Sequence, residues 1–185
     1  VAFFHHMASE IRVERLIEVI WEETKQGIEQ TLTEPVGDEV DIIAAEAPVS
    51  AQAYASHTGR IRWIDDETLA GVARASGGTV EVQAAPGDFV ADGQEIVRMV
   101  GGVPLESHQV ARLAAAVELR TERTLAQDVA FGLRQLTDVG LRALSPSVND
   151  PTTAEEAILR SVDLLRRIAD RRLGVAVLDT GGRML

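Results

Sequence analysis

The hydrophobic period of this chain changes twice, and that change restricts what it can fold into more than any other feature. Between about Gly37 and Met99, short β-favouring runs are punctuated by Gly and Pro: VDIIAAE, GRIRWID, GTVEVQA, GDFV and EIVRMV. Short strands joined by such turns hide their edges most easily by wrapping into a barrel or sandwich. On both sides of this stretch the apolar residues recur every three or four positions instead, the spacing of one helix face. The combination predicts an α+β chain in three parts: an N-terminal amphipathic helix within 1–36, a small β-rich, barrel-sandwich-like module over 37–103, and a helical bundle with a short final strand over 104–185.

The helical stretches can be read in more detail. Ser9 is placed to cap a helix of about 15–18 residues in which Val13, Leu16, Ile17, Ile20 and Trp21 share a face. Within the β region, DETLAGVARAS carries Leu69, Val72 and Ala73 at helical spacing and predicts one inserted short helix. After Pro104 three helical patterns follow. The first, over 107–121, aligns Val110, Leu113, Ala114 and Val117; the second, over 124–144, aligns Leu125, Val129, Leu133, Leu136 and Gly140. The third starts at Asp150-Pro151, where Asp accepts from free first-turn amides and Pro needs no amide donor. It is expected to turn Ala154, Ile158, Val162, Leu165 and Ile168 inward. Arg166, Arg167, Arg171 and Arg172 suit the negative end of its dipole, Gly174 stops it, and VAVLD forms the final strand.

Composition removes several functions. There are 18 Lys and Arg against 29 Asp and Glu, a formal net charge of -11, which opposes any general affinity for nucleic acid. Cysteine is absent, so disulfides, thiolate catalysis and cysteine-ligated metals are excluded. His5 and His6 are adjacent, and His57 and His108 are isolated, which does not make a three- or four-ligand zinc set. There is no Gly-x-Ser-x-Gly elbow and no Gly-rich phosphate loop, so neither a metal nor another cofactor is expected. The turn Pro86-Gly87-Asp88-Phe89-Val90-Ala91-Asp92-Gly93 resembles that of biotinyl and lipoyl carriers. Their chemistry needs a lysine at a hairpin tip, and the sole lysine of this chain is Lys25, outside the β region. No run approaches the roughly 18 apolar residues that cross a bilayer. The start on Val1-Ala2-Phe3-Phe4, followed by His5-His6-Met7, reads either as an apolar stub left just after a transmembrane helix or equally as a tag remnant or an ordinary buried segment.

The most distinctive stretch is RTERTLAQDVAFGLRQLTDVGLRALSPSVNDPTTA, residues 120–154. Arg123, Thr124, Gln127, Asp128, Phe131, Gly132, Leu136, Ala143, Leu144, Ser145, Pro146, Asn149, Asp150, Pro151, Thr153 and Ala154 stand at the spacing RT-x-x-QD, FG-x-x-x-L, ALSP-x-x-NDP-x-TA. Upstream, Thr58-Gly59, Ile61, Ile64-Asp65, Leu69, Pro86-Gly87-Asp88-Phe89-Val90 and Gly93 continue the pattern. This resembles a family of predicted bacterial integral membrane proteins classed as a domain of unknown function. Arg60 departs from it, standing where the family carries an aromatic. The resemblance implies transmembrane helices upstream, attachment to the membrane through them, and a place for this region on the cytoplasmic side of the inner membrane.

The loop Ser145-Pro146-Ser147-Val148-Asn149-Asp150-Pro151 gathers short polar side chains at a helix N-terminus, where free amides favour anions. Arg120, Arg123, Arg134 and Arg142 supply nearby guanidinium groups. A ligand-binding or interface site is therefore expected at Arg123, Thr124, Gln127, Asp128, Ser145, Asn149, Asp150 and Thr153, with a small anion as its ligand. The competing reading has Asn149 and Asp150 capping a helix while Gln127 and Asp128 satisfy a buried network. Arg123, Gln127 and Asp128 are expected on one patch of the second helix. That helix would be about 30 Å long, so the two halves of the site would meet only between subunits of a homo-oligomer. The functional expectation is a regulatory, ligand-binding or assembly domain of a transporter- or channel-like protein. The alternative is a membrane-tethered, hydrolase-like enzyme using Asp128 and Asp150 with an Arg.

Overall fold

The computed structural model describes residues 2–32, 47–171 and 177–178, with side chains from Val13 onward up to Arg171. The class is α+β, as expected. Two compact units divide the chain: a helical unit of Val1–Val36 with Thr124–Leu173, and a β-rich unit of Gly37–Arg123 with Gly174–Leu185.

The β-rich unit holds two antiparallel sheets. With strands β1 (Val49–Tyr54), β2 (Gly59–Ile64), β3 (Gly78–Val82), β4 (Phe89–Val90), β5 (Glu95–Gly101), β6 (Val117–Arg120) and β7 (Val177–Leu178), the four-stranded sheet runs β1-β5-β3-β7 and the three-stranded sheet β4-β2-β6. β3 alternates strictly, burying Gly78, Val80 and Val82 and leaving Thr79 and Glu81 half-exposed, as a strand with one face on a core must. The core gathers Ile61, Leu69, Val80, Val90, Ile96, Met99 and Leu113 from both sheets and the helices between them. Gly93 takes the left-handed conformation in the turn before β5, at φ 75.

Helix α2 (Asp66–Ser76) coincides with the DETLAGVARAS segment. Asp65 caps it, accepting from the Thr68 amide at 3.0 Å and from the Thr68 hydroxyl at 2.7 Å. The next helix is shorter than its periodicity predicts. α3 spans Ser107–Ala115, and residues 117–120 become β6. Val117 fits the helical series of Val110, Leu113 and Ala114 and equally the alternating pattern it makes with Leu119. Pairing with β2, at Ile61↔Leu119 and Ile64↔Val117, decides in favour of the strand. β1 carries none of the expected strand signal, since VSAQAY is poor in large β-branched residues; it is held by pairing along β5. The expected strand VDIIAAE lies at 40–46, outside the described residues, and only Val177–Leu178 of VAVLD are described, paired with β3.

The helical unit packs α1 (Ala2–Thr31), α4 (Val129–Ala143) and α5 (Pro151–Ala169) around Ile17, Ile20, Ile28, Leu136, Ala157, Leu164 and Ile168. α1 is longer than expected and runs through Ser9 instead of being capped by it. An interior Ser costs a helix only about 0.5 kcal/mol relative to Ala, too little to stop it. α1 and α4 are in tight contact at Gly132: a Cβ there would stand 1.9 Å from Thr24 Oγ1 and 2.7 Å from Thr24 Cβ. Thr24 is fully buried, its hydroxyl donating to the Ile20 carbonyl at 2.6 Å.

Candidate functional site

α4 begins at Val129, not at residue 124, because Asp128 ends the preceding turn by capping it. The Asp128 carboxylate accepts from the Phe131 amide at 2.9 Å, and Asp128 is 3% exposed. Gln127 is buried beside it and Thr124 is half-buried, both in a non-helical turn. The expected helical patch of Arg123, Gln127 and Asp128 is therefore corrected: none of the three lies in a helix, and Arg123 belongs to the β-rich unit.

Asp150 caps α5 in the same way. Its carboxylate accepts from the Thr153 amide at 3.1 Å and from the Thr153 hydroxyl, repeating the Asp65–Thr68 arrangement, while its own amide donates to the Ala143 carbonyl at 2.8 Å. Thr153 is buried by this contact. Asn149 takes φ 49, the left-handed conformation Asn tolerates, and this bends the chain from α4 into α5. Ser145 is half-buried with its hydroxyl 3.3 Å from that of Ser147, and the Asn149 amide donates to the Ser145 carbonyl. The positive end of α5 thus already faces a carboxylate of its own chain, which uses the same first-turn amide an anion would need.

These residues form two groups, not one. α4 has 15 residues, so about 22 Å of helix separates the Asp128 end from the Ser145–Thr153 loop at its other end. Asp128 and Asp150 do not share a substrate position within one chain. In the same unit, the hydroxyls of Thr31 and Thr124 are buried without a hydrogen-bond partner among the described residues.

A cluster the sequence reading missed ties α1 to α5. Trp21 Nε1 donates to Asp163 Oδ2 at 2.8 Å, and Arg167 Nε donates to the same oxygen at 2.8 Å. The Arg160 guanidinium lies 4.5 Å and the Lys25 ammonium 5.1 Å from the Trp21 ring centre. Arg160 is in turn held by Glu156 at 2.7 Å. The hydrogen bonds from Arg167 and then Trp21 hold the Asp163 carboxyl below its usual range. The sequence signal was the i,i+4 pairs Glu156–Arg160 and Asp163–Arg167; reading Trp21 only as a core residue concealed their target.

The inward stripe expected of α5 is also corrected. Ala154, Ala157, Leu164 and Ile168 face the core, whereas Ile158 is 59% exposed, Leu159 56%, Val162 46% and Leu165 52%. α5 is apolar on two faces, whose centres are about 110° apart at 100° per residue. The face with two alanines wins because small side chains let α5 lie close to α4, where a Cβ at Gly140 would meet the Ala157 Cβ at 3.7 Å, an ordinary contact. Leu141, Leu144 and Val148, near the α4–α5 junction, are exposed as well.

The β-rich unit offers a shallow cavity of about 210 Å³ lined by residues including Tyr54, Ser56, His57 and Leu119. It is smaller than the roughly 300–1,000 Å³ usual for ligand sites. Ser56 Oγ lies 3.1 Å from His57 Nδ1, but the two are exposed sequence neighbours, not a serine aimed at by a distant, oriented histidine. Among the described residues no three His, Asp or Glu side chains gather where a metal ion would bind.

The fold and its polar clusters define a mixed α+β piece with capped helices and an exposed apolar helix face. Among the described residues no helix is long and apolar enough to cross a membrane. The chain belongs to the family described as "Predicted membrane protein (DUF2254)", which it matches over residues 1–184. It is similar to uncharacterized proteins of Mycobacterium bovis and Mycobacterium tuberculosis, each 32% identical over an alignment of 168 positions that covers 85% of this chain and 32% of the relative. The chain therefore spans about a third of the length of these curated relatives. No solved structure matches it.

Proposed function

We propose that this chain is a non-catalytic, cytoplasmic part of an inner-membrane protein, and that it serves to assemble or regulate a transporter- or channel-like complex. The observation that carries this reading is the exposed apolar face of α5, with Ile158, Leu159, Val162 and Leu165 each about half exposed on a helix that already packs another face, of Ala154, Ala157, Leu164 and Ile168, in the core. Neighbouring exposed apolar groups of this size mark association surfaces more often than solvent-facing ones. Membership of a predicted membrane-protein family supports attachment to a bilayer by parts outside this chain.

The hydrolase-like alternative draws little support from the same geometry. An acid–base pair must reach one substrate, and the carboxylates of Asp128 and Asp150 each serve their own helix at opposite ends of α4. A regulatory anion at the Ser145–Thr153 loop would compete with the Asp150 carboxylate for the Thr153 amide. Two experiments test the proposal. Differently tagged full-length copies, co-expressed and extracted in mild detergent, should co-purify, and protease should reach this region in inverted vesicles but not in intact spheroplasts. Failure to co-purify removes the assembly role; protection in inverted vesicles removes the cytoplasmic placement.

A further inference from the structure

We infer that α5 pairs with α5 of a second copy of this chain, antiparallel and about a two-fold axis near residues 160–161. The inference rests on the assembly reading above and names its contact. On the exposed side of α5, the apolar residues Ile158, Leu159, Val162 and Leu165 are bracketed by Glu155 toward the start of the helix and Arg166 toward its end. At 100° per residue these six side chains fall within about 120° of the helix circumference. Both charged residues are exposed, and neither makes an ion pair with another described residue. Arg160, Asp163 and Arg167, by contrast, are engaged with Glu156 and Trp21 on another side of the helix.

This pattern is self-complementary in one direction only. A two-fold contact requires that if residue i meets residue j, then j meets i. Antiparallel alignment sets Leu159 against the partner's Val162 and, in the same register, Glu155 against the partner's Arg166, twice over. The helix ends then carry two oppositely charged pairs around an apolar centre, the arrangement of a hydrophobic core with a polar rim. Parallel alignment would oppose Glu155 to its own copy and Arg166 to its own copy, placing like charges at both ends of the apolar patch. A second copy also matches the patch in kind, because aliphatic side chains of similar size meet from both sides.

Charge exchange provides the test, read by sedimentation equilibrium on the 185-residue chain. Glu155→Arg alone sets Arg against Arg in the dimer, and Arg166→Glu alone sets Glu against Glu; each should raise the dimer dissociation constant by at least about tenfold. An equimolar mixture of these two variants should restore association to within about threefold of the unsubstituted chain, because the mixed dimer opposes Arg to Glu at both ends. The doubly substituted chain should do the same. Val162→Glu should abolish dimers while circular dichroism and melting stay close to those of the parent, since Val162 is not part of the core. If the parent self-associates but the single charge variants associate equally well, or their mixture gains nothing over either alone, the antiparallel α5 pair is refuted while assembly through another surface stands. If the parent stays monomeric at all concentrations up to the millimolar range, the pair is refuted outright. The broader assembly reading is then decided separately by co-purification of the full-length copies.

Discussion

Replacing Gly132 with alanine should destabilise the helical unit even though alanine is the better helix former, and the structure allows the size of the effect to be worked out. In the interior of α4 the change from Gly to Ala favours the helix by about 0.8–1.0 kcal/mol. Against this, the new methyl would sit 1.9 Å from Thr24 Oγ1, 2.6 Å from Thr24 Cγ2 and 2.7 Å from Thr24 Cβ. Because all three atoms are too close, rotating Thr24 about χ1 cannot clear the clash, and α1 must move away from α4. Overpacking of this kind costs about 1–3 kcal/mol, and contacts this short belong at the upper end, so the net loss should be about 2 kcal/mol. For a chain of this size that lowers the melting temperature by about 4–8 °C, followed by circular dichroism at 222 nm. Gly140→Ala is the control. Its Cβ would meet only the Ala157 Cβ at 3.7 Å, so it should be neutral or raise stability by up to about 1 kcal/mol. In a Thr24→Ala background, which removes two of the three clashing atoms, Gly132→Ala should cost measurably less, a coupling that a double-mutant cycle reads directly. A Gly132→Ala chain as stable as the parent would show that α1 and α4 do not cross where the structure puts them.

Asp150→Ala should cost about 0.5–2 kcal/mol as the loss of a helix cap, and by freeing the Thr153 amide it should make melting more sensitive to added phosphate than in the parent; a parent that is already strongly stabilised by phosphate would restore the anion-site reading of this loop. Asp128→Ala should carry a cost of similar origin at α4 and leave oligomer size unchanged, whereas a change in oligomer size would place Asp128 at an interface. Asp163 is held below its ordinary pKa by Arg167 and Trp21, so its contribution is present above the unfolded carboxylate range and is lost as pH falls through the lower folded value. Asp163→Asn should therefore melt lower than the parent at pH 7, by no more than about 1 kcal/mol because the side chain is partly solvated, and the two should converge at acid pH once the Asp163 carboxyl is protonated in both states; a difference that persists there would mean packing, not charge, holds the cluster.

Much of this fold was legible from period and punctuation. The strands centred on RIRWI, TVEV and IVRMV, the inserted α2, and the Asp150-Pro151 start of α5 all follow from local rules that tertiary structure had no reason to override. The failures occur where one stretch of sequence satisfies two patterns. Val117 fits a helix face with Val110, Leu113 and Ala114 and a strand face with Leu119, and only the partner strand β2 chooses between them. Asp128 reads as the fifth residue of a helical series or as the cap that precedes one, and the Phe131 amide settles the choice. The candidate site was the least legible part for the same reason. Asp, Asn and Thr around a helix start are the residues an anion site uses and equally the residues a cap uses, so composition cannot separate them; the Thr153 amide can, since it already donates to Asp150.

The ambiguity of α5 is of a different kind, because both of its readings are physically satisfied at once. A helix buried on one side needs a single apolar stripe, and α5 has two. The stripe built on Ala154 and Ala157 is committed to α1 and α4, and its small residues explain why the larger aliphatic groups were not chosen for that role: Ile158 or Val162 at the α4 contact would hold the helices apart. A second stripe of four large aliphatic side chains, left exposed among the described residues, presents apolar surface to water without return, unless another surface covers it in the working protein. The charges at its two ends are of opposite sign and outside the Trp21 network that engages Glu156, Arg160, Asp163 and Arg167, which is the distribution expected if the covering surface is a reversed copy of the same helix.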